Sequence, residues 1–411
     1  MHSTVRNLRH LRAFEASVRL ASISRAAEEV HVSQSAVSQA IANLERSLGV
    51  ELLQRSRTGS FVTPYGQIFR IRVERALERV SDALMAASEN GRAMRSRGAS
   101  PVANVTATQI NVLIAIEENG SFSAAARAAG ISQPAVNRSA GDLERNLRRS
   151  LFRRTPTGKA TNRLGTDLAH RLRLALHEID YAVEELDAAR GQSQGTIPVG
   201  ILPLGASMLL TRALMALSRS HPKAHVKIVE SPYEALAAWL RTGVIDVMVG
   251  TLRPSSPGDD VTEEPLFSDP YCVVVRPSHP MARLKVAKHS DLARYEWILP
   301  RLETPRRQAW EALFGDMPRR PPIVVETSSM ATTRDLLLSS DRVTLLSRDQ
   351  ISFEERLGLL KVIPAALPRA GRMIGLTSRT DWLPTDAESA FLEHLRRESL
   401  SLVQSNELTP M

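Results

Sequence analysis

Val32-Ser33-Gln34-Ser35-Ala36-Val37 is answered later in the same chain by Ile131-Ser132-Gln133-Pro134-Ala135-Val136. Leu44-Glu45-Arg46 is answered by Leu143-Glu144-Arg145, Thr58-Gly59 by Thr157-Gly158, and Gly66 by Gly165. Every pair is separated by 99 positions. A constant offset, sustained from Ser22/Ser121 to Gly66/Gly165, means a duplicated structural unit with no insertion between the matched points.

Within the first copy, Leu8, Leu11, Phe14 and Val18 recur at helical spacing. Ser22-Ile23-Ser24 supplies caps for a second helix, Arg25 to about Val30, where Ala26 and Ala27 let another helix approach. His31-Val32 makes a tight turn, and Ser33 is placed to cap a third helix whose Val37, Ile41, Leu44 and Leu48 form a buried stripe. The opposite face offers Gln34, Ser35, Ser38, Gln39 and Ala42, almost without charge. A solvated face normally carries Lys and Glu, whereas hydroxyls and amides suit base edges in a major groove. Leu52 to Pro64 reads as a two-stranded wing turning at Thr58-Gly59. There Arg55, Arg57 and Thr63 are placed to bond phosphates, which sets docking without reading sequence.

In the second copy the stripe is Val136, Ala140, Leu143 and Leu147. Its reading face carries Ser132, Gln133, Pro134, Asn137 and Arg138, and Arg154 lies in its wing. Asn and Arg are strong base readers. Four departures weigh against base reading by this copy: Gly141 inside the recognition helix, Arg148-Arg149 for Gly49-Val50, Asn162 for Thr63, and Pro156 in the wing. The alternative is a copy kept for packing and phosphate contact.

The net charge of +9 follows the repeat. Residues 1–195 hold 27 Lys and Arg against 19 Asp and Glu, while the rest of the chain holds 26 against 25. A basic half beside a nearly neutral half suggests an anionic polymer for the first and a different partner for the second. The single cysteine, Cys272, excludes an internal disulfide and reads as a buried strand residue. The start lacks the apolar core of a signal peptide and no apolar run is long enough for a bilayer, so a cytoplasmic protein without membrane contact is expected.

Each copy is followed by a long helical stripe: Phe69, Val73, Leu77, Val80, Leu84, and Leu172, Leu176, Ile179, Val183, Leu186. The second is a heptad seam suited to a partner helix. The connection Ser96 to Val102 reaches at most about 25 Å. Antiparallel pairing of the two helices within one chain is the leading reading, with pairing swapped between two chains as its rival.

Ser33-Gln34-Ser35-Ala36-Val37-Ser38, Leu44-Glu45, Leu48-Gly49, Arg55 and Thr63-Pro64-Tyr65-Gly66 resemble the winged helix-turn-helix of LysR-type transcriptional regulators. That resemblance implies a recognition helix beginning near Gln34 and a dimerising linker helix after the wing.

Beyond the joint Gly191–Gly195, strands and helices alternate: Thr196–Ile201, Met208–Ser220, Ala224–Glu230, Glu234–Arg241 and Val244–Gly250. This is the pattern of a parallel α/β sheet. Leu266–Arg276 and Arg372–Thr377 read as crossings between two lobes, with Trp297–Leu299, Ile323–Glu326, a helix Met330–Leu338 and a strand Val343–Leu346 between them. This half resembles the effector-binding domain of the same family, similar in fold to type 2 periplasmic binding proteins. The two-headed layout resembles the branch named for regulators of a galactose-binding protein. By position in that fold, Pro203, Leu204, Gly205, Ala206, Ser207, Gly250, Thr251 and Arg253 of one lobe should meet the effector. Thr327, Ser328, Ser329, Met330 and Ser347 should meet it from the other. Hydroxyls, a helix start and an arginine suit a small carboxylate or sugar acid.

No catalytic elbow or phosphate loop stands out, and His221-Pro222 and His279-Pro280 sit in turn contexts, so no catalytic residue, metal or cofactor is expected. The expected fold is multidomain: two all-α winged helix-turn-helix units with linker helices, then a two-lobed α/β domain. The expected bounds are 5–66 for the first head, 67–95 for its linker helix, 96–103 for a tether, 104–165 for the second head and 166–190 for its helix. The effector domain then spans 196–399, with lobe one at 196–271 and 372–399 and lobe two at 277–366. The expected function is a homo-oligomeric regulator that binds double-stranded DNA under control of a small-molecule effector. An architectural DNA-bridging protein and a solute binder or enzyme on the two-lobed fold are the weaker alternatives.

Overall fold

The computed structural model describes residues 5–56, 59–89, 105–156, 158–193, 195–203, 207–253, 258–315, 317–318, 320–367 and 371–404. Two compact units meet in sequence at Gly195 and Thr196.

In the first unit, α1 (Leu8–Arg19), α2 (Ile23–Glu29) and α3 (Gln34–Leu48) lead into a hairpin of β1 (Leu53–Ser56) and β2 (Gly59–Val62), then α4 (Pro64–Ala87). The order returns as α5 (Ala107–Asn119), α6 (Phe122–Ala129), α7 (Gln133–Leu147), β3 (Phe152–Thr155), β4 (Gly158–Thr161) and α8 (Arg163–Ala189). The repeated letters make repeated bonds. Ser33 and Ser132 cap α3 and α7, accepting from the N–H of Ala36 at 3.2 Å and of Ala135 at 3.3 Å. Glu45 accepts from the N–H groups of Leu52 and Leu53 at 2.9 and 3.2 Å. Glu144 repeats this on Leu151 and Phe152 at 2.7 and 3.3 Å. Each glutamate therefore ties its recognition helix to the first strand of its wing.

Two readings of the sequence change here. The Thr63 hydroxyl does not face a phosphate: it is buried, donates to the carbonyl of Glu51 at 2.6 Å and accepts from the N–H of Gly66 at 2.9 Å. Asn162 is no departure, because its amide donates to the carbonyl of Ser150 at 2.8 Å and accepts from the N–H of Gly165 at 2.9 Å. Hydroxyl and amide make the same two bonds and start the same helix. Gly141 does not interrupt α7, which runs unbroken to Leu147.

Arg148 is a true departure. It holds the left-handed position that ends α7 at φ +52°, where Gly49 ends α3 at φ +69°. That conformation crowds any Cβ by about 1–2 kcal/mol. Arg148→Gly is expected to raise stability by about 1 kcal/mol, read as a shift in the urea midpoint of the full chain. A lower midpoint would mean that the Arg148 side chain contributes more than its backbone costs.

The two linker helices pair within the one chain and run antiparallel. Near the start of α4, Gly49 lies against the Arg190 side chain that follows α8. In the middle, Arg72 meets Glu178 and Glu185, and past the end of α4 the N–H of Glu89 donates to the carbonyl of Leu147. Phe69, Val73, Val80 and Leu84 of α4 share one core with Leu172, Leu176, Ile179 and Leu186 of α8. Leu77 and Val183 pack at its margin. The second head keeps a smaller core of its own around Phe122, Val136 and Ile116.

In the second unit, β5 (Thr196–Ile201) pairs parallel with β6 (His225–Glu230) and with β7 (Val247–Thr251). Helices α9 (Ser207–Ser220) and α10 (Tyr233–Thr242) connect them. The expected parallel sheet is in fact mixed: β8 (Val261–Val275) and β13 (Gly371–Arg379) pair antiparallel with each other, and β13 pairs antiparallel with β7. The far end of β8 carries β11 (Thr344–Ser347) and β12 (Lys361–Ile363), also antiparallel. These two long strands join the lobes. Lobe two adds a parallel pair, β9 (Trp297–Leu299) with β10 (Ile323–Glu326). Its helices are α11 (His289–Leu292), α12 (Pro305–Phe314), α13 (Met330–Leu338) and α14 (Arg348–Arg356). Helix α15 (Asp386–Gln404) returns to lobe one, whose core includes Val199, Phe267, Ile374 and Phe391. Lobe two has its own core around Trp297, Trp310 and Phe314. Cys272 is half-buried on β8, and burial pushes its thiol pKa up. Among the described residues, no helix is long and apolar enough to cross a membrane.

Candidate nucleic-acid interface and effector cleft

On α3 the buried stripe is Val37, Ala40, Ile41, Leu44 and Leu48. That leaves Gln34, Ser35 and Gln39 exposed and Ser38 half-exposed. Ser33 is committed to its cap and shares a hydroxyl bond with Ser35 at 2.9 Å. The Gln39 amide donates to Asn43 at 2.9 Å along the helix. On α7 the stripe Val136, Ala140, Leu143 and Leu147 leaves Ser132, Gln133, Pro134, Asn137 and Arg138 exposed. Among the described residues, Arg138 makes no ion pair.

The wings differ in what is seen. Arg57 lies outside the described residues, as does the side chain of Arg55. In the second wing Arg154 is exposed and stands opposite Lys159, with Arg153 exposed beside it. Lys159 also lies over the Phe122 ring at 5.8 Å. Arg153 and Lys159 were missed by sequence reasoning, although basic residues on both sides of the Thr157-Gly158 turn were a signal for them.

A cavity of about 380 Å³ lies between the lobes. Five of the residues expected there do line it: Pro203, Thr251 and Arg253 from lobe one, Thr327 and Ser328 from lobe two. Leu204, Gly205 and Ala206 lie outside the described residues. The other five are placed elsewhere. The backbone N–H of Ser207 donates to the Asp349 carboxylate at 3.1 Å. Gly250 is buried in the sheet against Leu202. Ser329 caps α13, accepting from the N–H of Thr332 at 3.3 Å, and Met330 packs on a second lobe-two cluster with Ile298 and Leu337. Ser347 is fully buried, caps α14 and accepts from Arg372 at 2.9 Å.

What the expected set lacked is most of the charge. Arg306 sits in the first turn of α12, a helix that sequence reasoning passed over. Thr304 caps that helix and Pro305 opens it, which was the available signal. Trp310 and Phe314 anchor the helix in the aromatic cluster with Trp297. The Arg306 side chain is only 6% exposed. Its Nη1 is buried without a hydrogen-bond partner, and its Nη2 reaches the Thr327 carbonyl at a long 3.4 Å. Burial pushes its pKa down to about 10, and the nearby Arg372 adds to the fall. The group remains a cation at neutral pH, and it is poorly solvated.

Arg372 is buried as well but fully engaged, with Asp269 through Nε at 3.1 Å and with Ser347. Arg372 lies over the Tyr271 ring at 5.8 Å, and burial holds the Tyr271 pKa above its ordinary value against the pull of Arg372 and Arg306. Across the cleft Arg253 stacks on the Tyr233 ring at 4.7 Å. Aromatic and proline walls, two buried cations and the hydroxyls of Thr251, Thr327 and Ser328 make a site for a compact anion with an apolar body. Asp349 spans the lobes at the back of the domain, with both oxygens on the N–H groups that start α9.

Comparison with known proteins agrees with both halves. The LysR substrate binding domain model matches residues 190–399. The model for the bacterial regulatory helix-turn-helix protein of the lysR family matches twice, at residues 8–67 and 107–172. The HTH-type transcriptional regulator GalR of Pseudomonas putida is 32% identical, over 95% of this chain and 97% of its own. The HTH-type transcriptional regulator GbpR of Azospirillum brasilense is 28% identical, over 62% of this chain and 75% of its own. A solved full-length OxyR from Pseudomonas aeruginosa shares the fold, with a TM-score of 0.54 at 21% identity, over 71% of this chain and 93% of that one.

Proposed function

The chain belongs to the LysR family of bacterial transcriptional regulators, and from that premise we propose how the work is divided along it. Residues 5–66 and 104–165 are two DNA-reading heads, 67–95 and 166–190 are linkers that carry α4 and α8 between them, and 196–399 is the effector domain. The protein acts in the cytoplasm as a homo-oligomer and is not an enzyme. Gln34, Ser35, Ser38 and Gln39 read bases for the first head; Gln133, Pro134, Asn137 and Arg138 do so for the second. Arg55, Arg57 and Arg154 hold the flanking phosphates. The observation that carries this reading is the pair of matched recognition helices whose outward faces are polar and exposed while their inward stripes are buried.

The test is a footprint on the DNA upstream of the protein's own gene. Gln34→Ala/Ser38→Ala and Asn137→Ala/Arg138→Ala are each expected to lower specific affinity by at least about tenfold. Each should also shorten a different half of the footprint. If the second pair changes nothing, the second head is a structural partner only.

The effector is a small carboxylate or sugar acid, and Arg306 is its anchor. An incoming carboxylate satisfies the buried Nη1 and neutralises a poorly solvated charge in one contact. Binding draws the lobes to one arrangement, which alters the geometry of the DNA-bound oligomer; the ligand must prefer one state to shift anything. Arg306→Met removes an uncompensated buried cation, so it is expected to stabilise the ligand-free protein by about 1 kcal/mol. The same variant should lose every thermal shift that a panel of small mono- and dicarboxylates and sugar acids produces in the wild type. A variant that melts lower yet keeps the shifts would remove Arg306 from the site.

A further inference from the structure

The two heads are joined by one chain, and this removes a constraint that symmetric dimers obey. In a homodimer both recognition helices carry the same residues, so the DNA half-sites must be inverted copies of each other. Here α4 and α8 already satisfy each other inside the chain, down to the buried Arg72 between Glu178 and Glu185. The two recognition helices are therefore free to differ.

They differ on the outward face, and also at positions such as Ile41/Ala140, Asn43/Asp142 and Ser47/Asn146. The frame is the same in both heads: the serine cap, the glutamate on the wing, and the polar residue that starts the long helix make matching bonds. On the outward face Gln34 and Gln133 match, but Ser35 faces Pro134, Ser38 faces Asn137, Gln39 faces Arg138 and Ala42 faces Gly141. A serine hydroxyl is a permissive reader, whereas Asn pairs bidentately with adenine and Arg with guanine.

We infer that one chain reads two unlike half-sites, the second marked by a guanine that Arg138 contacts, so that its DNA target is an asymmetric pair. Where two chains occupy a longer site, the unlike pair is repeated as a unit. This rests on the DNA-reading roles proposed above.

The test is selection of random-sequence duplexes by the full-length chain. The wild type is expected to enrich two different half-sites, centred about one helical turn apart or a multiple of it. Pro134→Ser/Asn137→Ser/Arg138→Gln/Gly141→Ala gives the second face the four outward residues that set the first apart, and all four positions tolerate it sterically. Pro134, Asn137 and Arg138 are exposed, and a Cβ on Gly141 meets only the end of Arg145 at 3.6 Å. That variant should convert the second half-site into an inverted copy of the first. Arg138→Ala alone should lose about tenfold or more on the wild-type target and lose little once the marked guanine is replaced. An inverted repeat or a single half-site selected by the wild type overturns the inference while DNA reading stands. So does a target that is unchanged by the four substitutions. Failure to enrich any sequence overturns the DNA-reading roles themselves, and this inference with them.

Discussion

Replacing Glu178 by alanine is expected to destabilise the first unit by about 3–5 kcal/mol, the usual result of stripping one partner from a buried ion pair. Glu178 is 3% exposed, and three guanidinium groups converge on it: Arg72 at 3.0 Å, Arg75 at 3.1 Å and Arg79 at 3.1 Å. Arg72 is itself 1% exposed and also bonds Glu185 and stacks on Tyr181 at 5.1 Å. Burial by itself would lower the Arg72 pKa, but the bonds to Glu185 and Glu178 outweigh it and hold the group above its ordinary value. Without Glu178, Arg72 keeps Glu185 while Arg75 and Arg79 lose the buried carboxylate they both meet at the seam of the linker helices. Urea unfolding followed by helix circular dichroism reads the loss as a lower midpoint. DNA affinity should fall with it, because the seam sets the spacing of the heads. Glu178→Gln keeps the shape without the charge and should lie between wild type and alanine. A midpoint shift worth less than about 1 kcal/mol for the alanine variant would mean that solvent reaches the seam and screens it.

The second large effect is steric and appears twice. A Cβ on Gly66 would sit 2.1 Å from the carbonyl oxygen of Leu52, and one on Gly165 would sit 2.2 Å from that of Leu151. Both obstacles are backbone, so no rotamer relieves them, and the long helix must move away from its wing. Gly66→Ala and Gly165→Ala are each expected to cost about 3 kcal/mol, at the upper end for overpacking. Gly141→Ala is the control: it lies in the middle of α7 with room around it and should gain up to about 1 kcal/mol from helix propensity. Thermal melts of the three variants give the comparison. Equal tolerance at Gly66 and Gly141 would show that the wing is not held against its helix as described.

These glycines explain why the repeat was visible in the sequence at all. Among the positions that kept their letters across 99 residues are those bonded to or pressed against the backbone: Gly66/Gly165 against a carbonyl, Glu45/Glu144 on two N–H groups, and the capping serines. Where chemistry allows a substitute, the letters drifted but the bonds did not. Thr63/Asn162 looked like a divergence in the sequence and is a conserved pair of bonds in the structure. Most of the outward faces of α3 and α7 drifted in both letters and chemistry, Gln34/Gln133 excepted, as exposed positions free of packing can.

The effector half was legible as a fold and much less so as a site. Thr251, Arg253, Thr327 and Ser328 were placed from the rule that ligands sit past the ends of strands, and they line the cleft. Ser347 and Ser329 were placed by the same rule and cap helices instead. A hydroxyl after a strand serves either purpose, and only the direction of the next helix decides which. Arg306 and Arg372 were missed because each lies in a stretch that reads as ordinary surface or strand, far in sequence from the other and from Tyr271.

By itself, the sequence determined whatever is set by neighbours along the chain: the duplication, the caps, the buried stripes of α3 and α7, the basic first half and the alternating elements of the second. Those depend on spacing and local bonding, which a linear string records. The tertiary structure alone decided that α4 and α8 close on each other within one molecule, that Arg72 and Glu178 meet across the seam, and that Arg306 faces the cleft with a donor unmet. These are pairings of residues distant in sequence. Their energies come from burial and charge at short range in space, and no local spacing encodes them.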